Sequence, residues 1–217
     1  MLSSFPRIDW FKPLIRHPCR SELQWLTKGL QWPELANTLI QGAWNLGYHG
    51  AAVAAAIAYD TGLSPVDVRT LTVGELQGNR IRRDRTKTGR TVDLELWPET
   101  LEWIEAYHKE LAIAQMPGSL VVRSRRGKPF TKDMLATDIR QVREKLGIPS
   151  ELKLSDLRRT AWTEMANKGA TVPELAASAG WSMDTAAKNM DTYVVTSGPL
   201  ADAGHGRREK NIKGTEK

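Results

Sequence analysis

Cysteine is nearly missing from this chain. Its 217 residues include one, Cys19, which excludes an internal disulfide and any cysteine-based zinc site. Histidine is scarce too. His17, His49, His108 and His205 are scattered, and no two have ligand spacing on a helix, so no metal is expected. Long apolar runs are absent. The longest, Ala51 to Tyr59, is far too short to cross a bilayer, and no membrane partner is expected. The N-terminus carries Arg7 and Asp9 with no apolar signal region behind them, so a cytoplasmic location is the expectation.

What is present describes a globular chain. Hydrophobic residues make up 41% and charged residues 26%, a composition that folds rather than stays disordered. The length suits one domain, or one domain plus a short appendage. Lys and Arg number 31 against 25 Asp and Glu, a formal net charge of +6. That excess favours a polyanionic partner such as nucleic acid.

Along the chain, residues 1–20 are punctuated by Pro6, Pro13 and Pro18 and hold no period. A short helix is expected within Ser21–Gln31 and another from Pro33 to about Trp44, with Glu34 near its positive end. Gly50–Tyr59 is alanine-rich and apolar nearly all round, the pattern of a helix buried on most sides. It stops at Thr61-Gly62. Ser64-Pro65-Val66-Asp67 then opens a new helix, with Ser as cap, Pro at the first position and an acid at the third. From Arg80 to Leu96 the period changes: Val92, Leu94 and Leu96 alternate with Asp93 and Glu95, a strand with one wet face. Thr86-Lys87-Thr88-Gly89 reads as a hairpin turn. Thr100–Gln115 returns to helix, with Leu101, Ile104, His108 and Leu111 on one stripe, and Leu120-Val121-Val122 is the expected third strand. The last third is helical: Lys132–Leu146, Ser155–Asn167, Thr171 to about Gly180 behind a capping box with Glu174, and Met183–Tyr193. From Ser197 the tail is polar and basic. The expected class is mixed α+β, mostly helical, with a small antiparallel three-stranded sheet.

The order of these signals resembles the tyrosine recombinases, or phage integrases. Thr61-Gly62-Leu63-Ser64-Pro65-Val66-Asp67-Val68-Arg69-Thr70-Leu71 is similar to their "TGLRxSEL" box, and Thr86-Lys87-Thr88-Gly89-Arg90 to their "KTG" hairpin. Asp156-Leu157-Arg158-Arg159-Thr160-Ala161 resembles "HDLRHTA", Ala179-Gly180-Trp181-Ser182 resembles "LGHS", and Tyr193 falls where the nucleophilic tyrosine stands. Each motif alone is weak; five in order, at near-family spacing, are strong. The resemblance covers about residues 33–196 and implies the family's catalytic domain. Residues 1–32 are too short for the helical DNA-clamping domain that usually precedes it, so either the chain is a trimmed piece or its owner lacks the clamp. Residues 197–217 would be a flexible basic tail that touches DNA or docks on a neighbouring subunit.

The resemblance implies a chemistry needing no metal, nucleotide or other cofactor. A tyrosine cuts one strand of duplex DNA and keeps the phosphate as a 3′-phosphotyrosine. The phosphorane transition state gathers negative charge, so donors and cations must surround its nonbridging oxygens. Two arginines suit this, each offering two parallel hydrogen bonds. By resemblance, Tyr193 is the nucleophile, Arg158 the second phosphate-binding arginine, Lys87 the acid that protonates the leaving 5′-oxygen, and Trp181 an indole donor in place of the usual histidine. Two positions depart from the pattern. Ser64 stands where the first arginine belongs, and Ser155 where the histidine of the "HDLR" box belongs. By analogy with other phosphoryl-transfer arginines, such a loss costs ~10³-fold or more in rate. Arg69 lies about 140° round the same helix and is a poor substitute. Arg83 or Arg85 is better placed, because a hairpin arm can lean into the site.

Read singly, each residue has an ordinary alternative: Tyr193 as a core tyrosine, Lys87 as a solvated turn lysine, Arg158 as a partner of Asp156 or Glu164, Trp181 as packing. The cationic run Arg80, Arg82, Arg83, Arg85, Lys87 and Arg90, with Arg159 beyond it, is either a wet face or a surface that tracks DNA phosphates. Arg123, Arg125, Arg126 and Lys128 form a second basic cluster. Two readings stay open. One is a degenerate, nucleoid-associated DNA-binding protein with weak or no cleavage; the other is a working integrase or resolvase with an unusual phosphate pocket. Either acts on duplex DNA, with a homo-oligomer or a partner recombinase as a further expectation. A helical regulator that recognises protein is a third, weaker reading.

Overall fold

The computed structural model describes residues 32–85, 89–111, 116–150, 152–193, 201–202 and 205–206. The helix expected within Ser21–Gln31, the turn that carries Lys87, and most of the tail lie outside these residues. The order is α1 (Trp32–Asn45), α2 (His49–Thr61), α3 (Pro65–Arg69), a 3₁₀ turn (Val73–Glu75), β1 (Leu76–Gln77), β2 (Arg80–Asp84), β3 (Thr91–Glu95), α4 (Pro98–Leu111), α5 (Lys132–Leu146), α6 (Leu154–Asn167), α7 (Val172–Ala179) and α8 (Met183–Tyr193).

Helix α2 is the axis of the fold. Every residue from Gly50 to Thr61 is buried, as an all-round apolar helix requires. Its small side chains let α1, α4, α5 and α6 close around it. At Gly50 the approach is so tight that a β-carbon would lie 2.0 Å from the Arg123 carbonyl oxygen. The helix stops at Gly62, whose φ of +66° returns its N–H to the Ala58 carbonyl, a left-handed exit that glycine adopts without strain. Ser64 then caps α3 as its sequence signature demands, its hydroxyl accepting the Asp67 N–H.

The sheet is antiparallel in the order β1-β2-β3. Ile81 faces Leu94 and Arg83 faces Val92 across β2–β3. The third strand is not where the apolar triplet Leu120-Val121-Val122 placed it. Leu76 and Gln77 pair with Ile81 and Arg80 instead, and Leu120 forms only an isolated bridge to Thr72. The triplet has other partners: Val121 donates its N–H to the Leu71 carbonyl and lends its own carbonyl to His108 at 3.0 Å. Next door, Arg123 exchanges hydrogen bonds with the Tyr107 hydroxyl. Of the expected stripe on α4, Ile104 is buried and Leu101 and Leu111 pack half-buried against the core, while Thr100 and Tyr107 are buried beside them.

Helix α6 passes through two apolar clusters. Leu154 and Leu157 belong to the main one around α2. Ala161, Trp162 and Ala166 join Leu175 and Ala179 of α7 in a smaller one, with Met165, Trp181 and Met190 packed on it. Arg158 sits at the seam between them.

Burial also perturbs acids beside α2. Asp60, 6% exposed, accepts the Trp97 N–H at 2.8 Å, yet loss of water lifts its carboxyl to about 6. Desolvation raises Glu164 as well; it accepts the Tyr59 hydroxyl. A carboxyl whose folded value exceeds its unfolded value of roughly 3.9 holds a proton that the unfolded chain has released. Its contribution is therefore complete below about pH 4 and is lost as pH rises through 6. In thermal unfolding between about pH 4 and 7, wild type should lose about 2–3 kcal/mol relative to Asp60→Asn as pH rises. A difference that stays flat with pH would show Asp60 to titrate normally.

Candidate active site

The site is assembled around one carboxylate. Asp67, on the first turn of α3, is 1% exposed. Its Oδ2 accepts the Ser64 hydroxyl at 2.5 Å. The same oxygen accepts Arg85 Nε at 3.1 Å and Nη2 at 3.0 Å. The other terminal nitrogen of Arg85, Nη1, donates to the Ala179 carbonyl at the end of α7. Arg83 ties the hairpin to the same helix by a separate route: Nη1 donates to the Asp67 carbonyl, Nη2 to Thr70 Oγ1 at 3.2 Å, and Nε lies 3.6 Å from Glu75.

Strand periodicity explains the inward aim. Side chains alternate across a strand, so Ile81, Arg83 and Arg85 share the buried face while Arg80, Arg82 and Asp84 face water. The cationic run therefore does not form one surface. Arg80 is engaged with Asp93 at 2.8 Å. Arg82 is exposed, as are Arg90 and Arg159. Arg83 and Arg85 are turned into the protein and cannot track a duplex along the wet face.

Against the same α7–α8 turn stands Arg158, 5% exposed. Its guanidinium carbon lies 5.0 Å from the Trp181 ring centre and 5.2 Å from that of Trp162, and the two rings are 4.3 Å apart. A cation over aromatic faces is attracted by the ring quadrupoles, more so where water is excluded. The acids that the sequence offered to Arg158 have other partners: Asp156 accepts the Lys153 N–H, and Glu164 the Tyr59 hydroxyl. Ser155 lies one turn before Arg158 and is exposed. Arg69 donates to the Phe130 carbonyl, away from Ser64. Arg90 Nη1 reaches the Trp181 carbonyl at 3.4 Å, so both ends of the hairpin touch the α7–α8 turn.

Of the sequence-expected residues, Ser64 is linked through Asp67 and Arg85 to the Ala179 carbonyl, and Trp181, two residues on, packs against Arg158. Lys87 lies outside the described residues. Tyr193 ends α8, and its side chain is outside the described part. Sequence reasoning missed the hub role of Asp67, which it read only as a helix-start acid, and the stacking of Trp162. Chemically, the arrangement brings three buried guanidinium groups, from Arg83, Arg85 and Arg158, near the α3 helix start and the α7–α8 turn, a group type suited to binding an oxyanion.

The comparisons agree with this architecture. The profile of the phage integrase family matches residues 33–191, and the chain belongs to that family. Its fold is similar to the crystal structure of XerA recombinase, with 16% identity and a TM-score of 0.63 over 80% of this chain and 60% of that one. It is similar also to a lambda integrase dimer bound to a COC' core site, with 16% identity and a TM-score of 0.57 over 70% and 45% of the two chains. A third similar structure is XerH site-specific recombinase bound to difH substrate in a pre-cleavage complex, with 14% identity and a TM-score of 0.58 over 71% and 47%. The chain thus spans less than two thirds of the length of each. At these identities the likeness is one of fold, that of the tyrosine-recombinase catalytic domain. The curated proteins contain no match.

Gly180 lets the walls meet. Its φ is +58°, and a β-carbon there would stand 2.8 Å from both Arg85 Cδ and Val92 Cγ2. Gly147 has a similar φ of +67° with nothing within 4 Å. Gly147→Ala should therefore cost about 1 kcal/mol of backbone strain. Gly180→Ala should cost a further 1–3 kcal/mol, roughly, from overpacking. Equal melting temperatures for the two variants would show that the contact carries no weight.

Proposed function

We propose that this protein binds duplex DNA through a tyrosine-recombinase catalytic domain spanning residues 33–196, and that strand cleavage is weak or lost. The observation that carries the reading is the buried Arg158 guanidinium against Trp181, on the α6 and α7–α8 positions that match the family boxes, opposite a basic hairpin. A backbone phosphate bound there would be held by Arg158 donating to nonbridging oxygens, with Trp181 as the indole donor. Exposed Arg82, Arg90 and Arg159 would contact neighbouring phosphates, which set register and carry no base sequence. That the lambda integrase and XerH structures hold DNA, and that the lambda integrase is a dimer there, supports a duplex partner and assembly on it. Among the described residues no helix is long and apolar enough to cross a membrane, and no cluster of metal-ligating side chains occurs.

Cleavage would run by attack of the Tyr193 phenolate oxygen on phosphorus as the bond to the 5′-oxygen breaks. Lys87 would pass a proton to that oxygen, and the phosphate would remain on the tyrosine. Ser64 and Ser155 bring no positive charge where negative charge builds up, and the Ser64 hydroxyl already donates to Asp67, which is why cleavage is placed second. The active reading is favoured by one observation: the guanidinium of Arg85 hangs from the same carboxylate as Ser64.

Two experiments test the pair. On a duplex selected from a random-sequence pool, affinity should drop by about tenfold or more between about 50 and about 200 mM salt. A flat salt response removes the DNA-binding proposal. A nicked form of the selected duplex should give little or no covalent protein–DNA adduct. A robust adduct that disappears in Tyr193→Phe would establish the active reading instead.

A further inference from the structure

We propose that Arg85 is the second phosphate-binding guanidinium of this site, supplied from the hairpin to the place where Ser64 brings no charge. The inference rests on the phosphodiester pocket proposed above and names a residue of that pocket. Three observations converge on it. First, Ser64 Oγ and two nitrogens of Arg85 bind one and the same oxygen, Asp67 Oδ2, so the guanidinium lies one carboxylate away from the serine side chain. Secondly, Nη1 of Arg85 donates to the Ala179 carbonyl while Arg158 lies against the ring of Trp181. The two guanidiniums thus bracket one three-residue turn, and the bare Gly180 between them leaves room for the Arg85 stem. Thirdly, the hairpin has its own anchor. Arg83 already joins β2 to α3 through Asp67, Thr70 and Glu75, so the fold does not need Arg85 for that purpose alone.

The donor arithmetic leaves capacity for a ligand. A guanidinium has five N–H groups. Arg85 uses three, one each on Nε, Nη1 and Nη2. One N–H therefore remains on each terminal nitrogen, and two such donors are what a phosphate accepts from an arginine. Asp67 holds the group in place before any ligand arrives. This is the preorganisation that makes fixed donors effective where charge develops.

The proposal is tested by the ¹⁵N–¹H signals of the arginine side chains, assigned by Arg→Lys replacement, during titration with inorganic phosphate and then with the selected duplex. Arg85 and Arg158 should shift together and saturate at one concentration. Arg85→Gln should weaken phosphate binding about tenfold or more. Ser64→Arg should restore it in the Arg85→Gln background, and should not raise it in wild type, where Asp67 is already taken. If Arg85→Gln does not fold, the wild-type titration decides alone. Movement of Arg158 without Arg85, with salt-sensitive DNA binding intact, overturns this inference and leaves the DNA-binding proposal standing. Loss of affinity in Arg85→Gln that Ser64→Arg fails to restore marks a structural tether and likewise overturns it. If neither signal moves and no duplex binds, both proposals fall.

Discussion

The pair of hydrogen bonds from Arg85 to one oxygen of Asp67 is the interaction on which the site depends. An ion pair with 6% and 1% of its side chains exposed gains little by itself, because both charges have given up water. Removing one partner is the costly event, about 3–5 kcal/mol for a buried pair. Here the pair does more than balance charge. With the separate tie made by Arg83 it joins the hairpin to α3, and through the Ala179 carbonyl it extends to the end of α7. Three segments far apart in the chain therefore meet at one side chain of a hairpin. Helix α2, buried on all sides, supplies the rigid axis behind them, since Gly62 and Leu63 lead directly from its end to Ser64.

Arg158 is held by different means. It sits where α6 leaves the main apolar cluster and enters the smaller one, over two indole rings. The rings provide a low-dielectric, π-rich surface that attracts the guanidinium. The two walls of the site thus use opposite strategies, a carboxylate for Arg85 and aromatic faces for Arg158.

Much of this was legible in the residues. The ends of α2, α3 and α7 follow from Thr61-Gly62, Ser64-Pro65 and the Thr171–Glu174 box, because capping is local chemistry that needs no tertiary information. The family boxes drew attention to Ser64, Arg158 and Trp181 before their contacts were known. What escaped was nonlocal. Leu120-Val121-Val122 carries strand-like composition, but its hydrogen bonds go to Leu71 and α4, and only the folded chain decides which edge an apolar triplet joins. Strand β1 is two residues long, too short for any period to register. The inward aim of Arg83 and Arg85 was present in the alternation that starts at Ile81. A run of six cations in eleven residues reads first as a wet face, and that composition hides the pleat. The hub at Asp67 escaped because its arginine partners, Arg83 and Arg85, lie 16 and 18 residues away.

The pleat of β2 also governs how this hairpin can change over time. Because neighbouring positions face opposite ways, adding or deleting one residue between Ile81 and Arg85 would exchange the two faces. Arg82 and Asp84 would enter the interior, and the guanidiniums that clasp α3 would be expelled into solvent. Length variation is thereby confined to even steps within the strand or to the connecting turn. Drift in this arm is quantised, and a lineage could rebuild the tip repeatedly while inheriting the clasp intact.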